Sequence, residues 1–345
     1  MNRIPDGRRE ATEIRLRAYP PDTLREEDFE LHRAPAPRSL EAGELLLANS
    51  WLSLDASARL RMRESDSPYM PRIPLGAPIS GFALGRVLSS RRSGFAEGDL
   101  VLHSSGWRTH AVIRADETGW RGPHRIVEEP GMSEAAYLTA LGPAGLTAYV
   151  GMVKLLDPRP GDVVFVSAAG GGIGSLAVQL AKIAGARVVA SAGSAEKRDL
   201  VLGLGADVAL DRRVPDLSAA LKAAAPGGIH GYFDCVGGPE LEAAIHNARP
   251  GARIVMCGTV SNYDAQSGSL PRNLFDIVAK ELSVKGYLTR SYAELLPTVQ
   301  AEMAKLIRDG RLRDRVTILK GIDSVPRAFV SLFRGVHVGK LLIQL

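Results

Sequence analysis

Cysteine is nearly missing from this sequence: two residues of 345, Cys235 and Cys257. That number excludes a disulfide framework and any four-cysteine zinc site, and the two are expected to be small buried hydrophobes. No cysteine precedes residue 235, and His32, His103, His110 and His124 are not grouped at ligand spacing, so a catalytic zinc held by three protein ligands is not expected. No apolar run approaches the about 18 residues of a membrane span. The opening MNRIPDGRREATEIRLR is charged from its third residue and has no apolar signal core; the expected setting is the cytoplasm, with no membrane partner. Aromatic side chains are 6% of the chain, and the net charge of +5 comes without a basic stripe interleaved with aromatics, which argues against nucleic-acid binding. What is plentiful is aliphatic material. Hydrophobic residues are 45% of the total, enough for more than one core in a chain too long for a single small domain.

Up to about residue 139 the pattern is one of short apolar or alternating segments (44–49, 81–88, 100–103 and 110–113) separated by Pro, Gly and Ser clusters, which predicts a small antiparallel barrel or folded sheet. From about residue 140 the rhythm changes. The run 163–167 (VVFVS) is continuous and β-branched, as in a strand buried on both faces, and 173–184 has apolar positions at helical spacing. Strands at 187–190, 208–210, 231–236 and 252–258 then alternate with helices at 196–204, 216–225 and 241–248, the signature of a doubly wound parallel sheet. A long amphipathic helix is expected over 292–309, and strands at 316–319 and 340–343 are expected to complete the first domain. The division is thus 1–139 with 310–345 as one discontinuous domain, and 140–309 as a dinucleotide-binding domain.

The sharpest chemical signal lies between the first of these strands and its helix. Aligned to a G-x-G-x-x-G fingerprint, Ala169 takes the first position, Gly171 the second and Gly174 the third, with Gly172 and Ile173 between them. Gly171 would let the backbone approach a pyrophosphate, Gly174 would let helix and sheet pack closely, and the helix N-terminus would face the phosphates. An NAD site usually places an acidic residue about 20 residues further on. Here Gly193 and Ser194 stand there, followed by Lys197 and Arg198, with Arg212 just past the next strand; a hydroxyl and cations without a carboxylate favour the 2′-phosphate of NADP. Val236, Cys257 and Gly258, at the ends of later strands, are placed to line the same crevice, and Tyr263 to cap it.

These motifs, with 141–149 (LGPAGLTAY), 192–197 (AGSAEK) and 233–238 (FDCVGG), resemble the zinc-independent branch of the medium-chain dehydrogenase/reductase superfamily, in particular the leukotriene B4 dehydrogenase or prostaglandin reductase-like NADP-dependent alkenal and enone reductases. The resemblance implies a GroES-like β-barrel catalytic domain, a Rossmann domain, and an active-site cleft between them. It also implies that Lys197 contacts the 2′-phosphate, that Thr147 lies by the nicotinamide, and that Tyr263 touches NADP(H). The reaction it implies is hydride delivery to the β-carbon of a double bond conjugated to a carbonyl, without metal, by a homodimer.

Departures mark the substrate side. His337 stands in the His337-Val338-Gly339-Lys340 segment where relatives have Asn, Arg290 and Arg212 replace tyrosines, and the Asp-Pro-Tyr-Met-Arg of relatives reads Asp55-Ala56-Ser57-Ala58-Arg59. Tyr263, Thr147, His337 and Arg290 are therefore the catalytic candidates: a hydroxyl pair, a group that titrates near neutrality and a bidentate cation. Quinone reduction, and NADPH binding without turnover, remain the alternatives on the sequence.

Overall fold

In a computed structural model, residues 10–37, 39–66, 70–263 and 270–345 are described. They fall into two compact units: the described residues up to Leu138 with Thr317–Val336 and Leu341–Leu345, and Thr139–Val316 with His337–Lys340.

The first unit is β-rich. Strands β1 (Glu10–Leu16) and β2 (Phe29–Pro35) form a two-stranded antiparallel sheet with Leu16 opposite Phe29. This pair was not legible in the sequence, because β1 buries only Ile14 and Leu16 and otherwise carries charge. Strands β3 (Leu45–Ser53), β4 (Ala83–Ser90), β5 (Leu100–His103), β6 (His110–Ile113) and β7 (His124–Arg125) make the larger sheet, in which β3 pairs with both β4 and β6. The β3–β4 register shifts twice, the bulging that bends a sheet on itself.

The second unit is a six-stranded sheet, parallel throughout. Its strands are β8 (Val163–Val166), β9 (Arg187–Ala192), β10 (Val208–Asp211), β11 (Ile229–Asp234), β12 (Ala248–Met256) and β13 (Ser283–Gly286), in the order β10-β9-β8-β11-β12-β13. The chain leaves β8 toward β9 and β10, then crosses back to β11, so the strand order reverses beside β8, where doubly wound sheets bind ligands. Helices α1 (Pro143–Tyr149), α2 (Gly172–Ile183), α3 (Ala195–Gly203), α4 (Leu217–Ala224), α5 (Gly238–Asn247), α6 (Phe275–Ala279) and α7 (Leu296–Arg308) belong to this unit. Phe165 of β8 stacks on Tyr232 of β11 at 4.9 Å in its core.

One expectation needs correction here. The helix expected from residue 292 begins at Leu296, after a 3-10 segment (Thr289–Leu295), because Pro297 lacks an N–H and its fixed φ suits the first helical turn. Strand β12 is interior, pairing with β11 on one side and β13 on the other. The edges are β10 and β13.

The chain then returns to the first unit through β14 (Val316–Lys320), helix α8 (Val325–Phe333) and β15 (Lys340–Gln344), with β15 beside β3. Phe329 of α8 packs edge-on against Trp107 at 4.9 Å, and both are fully buried. Unlike the sequence division, Thr139 and residues 310–316 and 337–340 pack with the second unit. The cause is specific bonding: the Gln179 side chain holds both the amide and the carbonyl of Arg313 (2.7 and 3.0 Å), and the Gly339 amide donates to Gly170 O at 2.8 Å.

Candidate functional site

The site is built on the turn that follows β8. Three fully buried residues, Val164, Phe165 and Val166, fix the strand end; Ala168 then adopts a left-handed φ of 46° and its carbonyl accepts the Gly171 amide at 2.9 Å. Ala169 ties the turn to β9 by donating to Ser191 O at 3.0 Å. A Cβ on Gly174 would stand 2.3 Å from Ala168 O, so only glycine lets α2 sit directly on the turn. Gly171, Gly172 and Ile173 are half-buried at the start of α2, where the first amides of a helix have no carbonyl inside it and attract anions.

Cations gather around this turn. The stem of Lys197 lies against Gly170, whose Cβ would meet Lys197 Cβ at 2.8 Å, and the Lys340 stem lies equally close to Gly172. Across the end of β9, Arg212 Nε stands 3.0 Å from where a Gly193 Cβ would be, and Ser194 caps α3, its hydroxyl accepting the Lys197 amide at 3.3 Å. Burial, then the charge of Arg212, hold the Lys197 ammonium below the usual lysine range, against a smaller opposing pull from Glu196. Burial and the charge of Lys197 in turn lower His337. Arg198 is different: its guanidinium pairs with Asp211 at 2.8 Å, as does that of Arg213 at 2.9 Å. Lys197 and Arg212 thus repel one another beside a helix N-terminus, an arrangement that a dianionic phosphate relieves. The residues present fit NADP(H), and the small Gly193 keeps the spot open beneath the guanidinium.

A second wall comes from the ends of β11 and β12. Asp234, fully buried, accepts on one oxygen from the Tyr232 hydroxyl and from the amides of Val236 and Gly237, each at 2.8 Å. Burial pushes this carboxyl up, and those hydrogen bonds pull it back; its role is to pin the turn into α5. Ser167 accepts the Cys235 amide at 2.9 Å. Ser261 closes on Val236 O at 2.6 Å, and the Tyr263 hydroxyl accepts the Thr259 amide at 3.3 Å, within 2.8 Å of a Cβ built on Gly258. Behind this wall, Glu240 in the first turn of α5 receives the Ser191 hydroxyl. Its carboxyl is pushed up to about 7, chiefly by burial.

Thr147 sits on α1. Its hydroxyl donates to Pro143 O at 2.7 Å, which leaves it to accept from Thr289 Oγ1 at 2.8 Å, and the Tyr287 hydroxyl donates to Thr147 O at 2.7 Å. Arg290 follows in the 3-10 segment and is exposed. The structure therefore groups Ala169, Gly171, Gly172, Ile173, Gly174, Gly193, Ser194, Lys197, Arg212 and His337 about one turn. Val236, Cys257, Gly258 and Tyr263 form the adjoining wall, and Thr147 with Arg290 stands at a separate point of the same unit. Sequence reasoning missed Gly170, Lys340, Asp234 and Tyr287. Gly170 opens the glycine triplet, and Asp234 and Lys340 lie within the segments 233–238 and 337–340, whereas nothing in the sequence marks Tyr287.

Comparison with known proteins decides the family. Residues 12–119 match the family model described as the N-terminal domain of oxidoreductase, and residues 172–307 match that of zinc-binding dehydrogenase. The 2-alkenal reductase (NADP(+)-dependent) of Nicotiana tabacum is 33% identical over 336 residues, 96% of either chain. The chain belongs to the NADP-dependent alkenal and enone reductases of the medium-chain dehydrogenase/reductase family. Prostaglandin reductase 1 of Bos taurus is 33% identical over 321 residues, 92% of this chain and 94% of its own. The crystal structure of CurA from Vibrio vulnificus in complex with NADPH superposes with a TM-score of 0.89 at 28% identity, over 96% of this chain and 98% of that one. NADP(H) is accordingly the cofactor of this reductase. Although one matching model is described as zinc-binding, no group of three or more His, Cys, Asp or Glu among the described residues stands where it could hold a metal ion. His103, a candidate by type, is a buried structural residue held near a pKa of about 3 by desolvation and Arg108; Ser105 N donates to its Nδ1 at 3.1 Å, so its Nε2 donates to Asn49 at 2.9 Å.

Proposed function

We propose that this reductase uses NADPH to saturate the carbon–carbon double bond of α,β-unsaturated ketones or aldehydes, with hydride entering at the β-carbon. The observation that carries the cofactor half is the carboxylate-free cradle of Gly193, Ser194, Lys197 and Arg212 beside the α2 turn. The substrate half rests on relatives named for alkenal, pulegone and prostaglandin reduction.

NADPH, when bound, supplies the hydride. Lys197, Arg212 and the Ser194 hydroxyl would hold its 2′-phosphate, and the first amides of α2, from Gly172 to Gly174, its pyrophosphate. Tyr263 offers a hydroxyl donor to the nicotinamide end, where a donor aimed at the carbonyl oxygen stabilises the developing enolate; Thr147, whose hydroxyl hydrogen is held by Pro143 O, takes part there as an acceptor. His337, with its charged form disfavoured beside Lys197, contributes as a neutral ring on the cofactor side. Arg290 is the candidate partner for the enolate oxygen or a substrate carboxylate. No metal enters this scheme, since its polarising groups are hydroxyls, amides and a guanidinium. The decisive experiment is a product-identified assay with NADPH against enals, enones and quinones.

We also place the enzyme in the cytoplasm as a homodimer. All four residues of the edge strand β13 are exposed, and Phe275 (77%), Val278 (68%) and Val284 (42%) leave apolar surface on and near that edge. Unprotected edges of this kind favour pairing across a two-fold axis.

A further inference from the structure

The two cysteines, far apart in sequence, face each other. Asp234 and Met256 are register partners at the ends of the adjacent parallel strands β11 and β12, so Cys235 and Cys257 are the next pair beyond them. The chain stays zipped there: Cys257 and Gly258 both donate to Asp234 O (2.7 and 3.2 Å), and Val260 donates to Cys235 O at 3.2 Å. Register partners on neighbouring parallel strands project to the same face of the sheet, so the two side chains are neighbours. Neither residue is sealed in the core, both being half-buried.

A pair of adjacent thiols supplies both parts of a peroxide reaction: one is oxidised as its thiolate, and the other resolves the product.

We propose that Cys235 and Cys257 are a modification site for hydroperoxides, which convert them to a reversible intramolecular disulfide that weakens NADPH binding. The Cys257 thiolate attacks a peroxide oxygen; the O–O bond breaks, and the leaving alkoxide takes a proton and departs as alcohol. Cys257 is then a sulfenic acid. The Cys235 sulfur attacks it, the S–O bond breaks, and the hydroxide leaves with the Cys235 proton as water. The two thiols lose two electrons in total and the hydroperoxide gains them.

The effect on binding rests on the reading of Gly258 and Tyr263 as part of the NADP(H) wall. A disulfide holds its two sulfurs at about 2 Å, well inside van der Waals contact, so it must drag Cys257 and Gly258. Tyr263 Oη already stands 2.8 Å from where a Gly258 Cβ would be, and its hydroxyl holds the Thr259 amide. Little slack remains to absorb the shift.

The test treats full-length reduced protein with cumene hydroperoxide, then maps peptides without reductant and titrates NADPH by its fluorescence. The expected result is a Cys235–Cys257 cross-linked peptide lighter by two hydrogens. The NADPH dissociation constant should rise at least about fivefold and return after dithiothreitol. Cys235→Ser should form no internal cross-link and should leave Cys257 trappable as the sulfenic acid by dimedone. Wild-type protein whose cysteines stay reduced, or oxidise separately to sulfinic acid, overturns the site. A cross-link that leaves NADPH affinity unchanged overturns its effect on binding. Neither readout uses turnover, so both stand apart from failure of the enone reading.

Discussion

The stem of Lys197 lies on Gly170: a Cβ added to the glycine would stand 2.8 Å from Lys197 Cβ and 2.9 Å from its Cγ. The contact joins the turn after β8 to the helix after β9, so the group we propose to distinguish NADPH from NADH is positioned by the turn itself. Lys197→Ala should reduce the preference for NADPH, which we expect to be at least about tenfold or roughly 1.4 kcal/mol in the native enzyme, while NADH affinity stays nearly unchanged. Gly170→Ala should weaken NADPH binding in the same sense by displacing the lysine. Titration of both reduced cofactors at one salt concentration checks both, and equal affinities in the native enzyme would remove the role given to Lys197.

Gly174 should matter for stability. A methyl group there meets Ala168 O at 2.3 Å and Ala168 C at 2.8 Å, both backbone atoms, so α2 must move off the turn. Gly174→Ala is expected to cost about 1–3 kcal/mol, the range for overpacking, read as a lowered midpoint in denaturant. Gly203→Ala is the control, since nothing lies within 4 Å of its added carbon.

How much of this was legible in the sequence follows from range. The β8–α2 turn was readable because strand, glycines and helix are contiguous and their period changes within a dozen residues. Lys340 was not, because its place on Gly172 depends on the C-terminal strand returning past the turn, a long-range event with no local signature. Cys235 and Cys257 read as isolated hydrophobes; only the register of β11 against β12 makes them neighbours. Tyr287 was passed over for Arg290 because no pattern says that its hydroxyl reaches Thr147 O at 2.7 Å. Charge alternation hid β1, whereas β5 and β6 were found at their observed limits because each is a compact apolar run between turns.

Glu240 predicts a pH dependence. Its carboxyl is raised from the ordinary 4.5 to about 7, by burial first, with Ser191 and Arg212 opposing. A carboxyl with a raised folded pKa binds its proton more tightly in the folded state, so its contribution is complete below about 4.5 and is lost as pH rises through about 7. The span corresponds to roughly 3 kcal/mol. Glu240→Gln, neutral throughout, should be more stable than the native protein at pH 8 and about equal to it at pH 5. Unfolding at both pH values decides, and a difference between the two proteins that does not change with pH counts against the buried-acid account.

The exposed edge at β13 predicts association. Sedimentation at several concentrations should give a dimer, and Val284→Lys, which places charge on the edge strand, should shift it toward monomer while leaving NADPH affinity in place. A native protein that stays monomeric at tens of micromolar would contradict the assembly proposed above.

Product identification tests the central claim most directly. Enzyme stripped of metal, with its content confirmed by elemental analysis, is incubated with NADPH and, separately, an enal, an enone and a quinone, and the products are identified by mass spectrometry and NMR. With 4-deuterated NADPH, the account predicts the saturated aldehyde or ketone with deuterium at the β-carbon, one NADPH consumed per product, and no gain on adding zinc. Turnover confined to the quinone, or activity that tracks one equivalent of bound zinc, would contradict it.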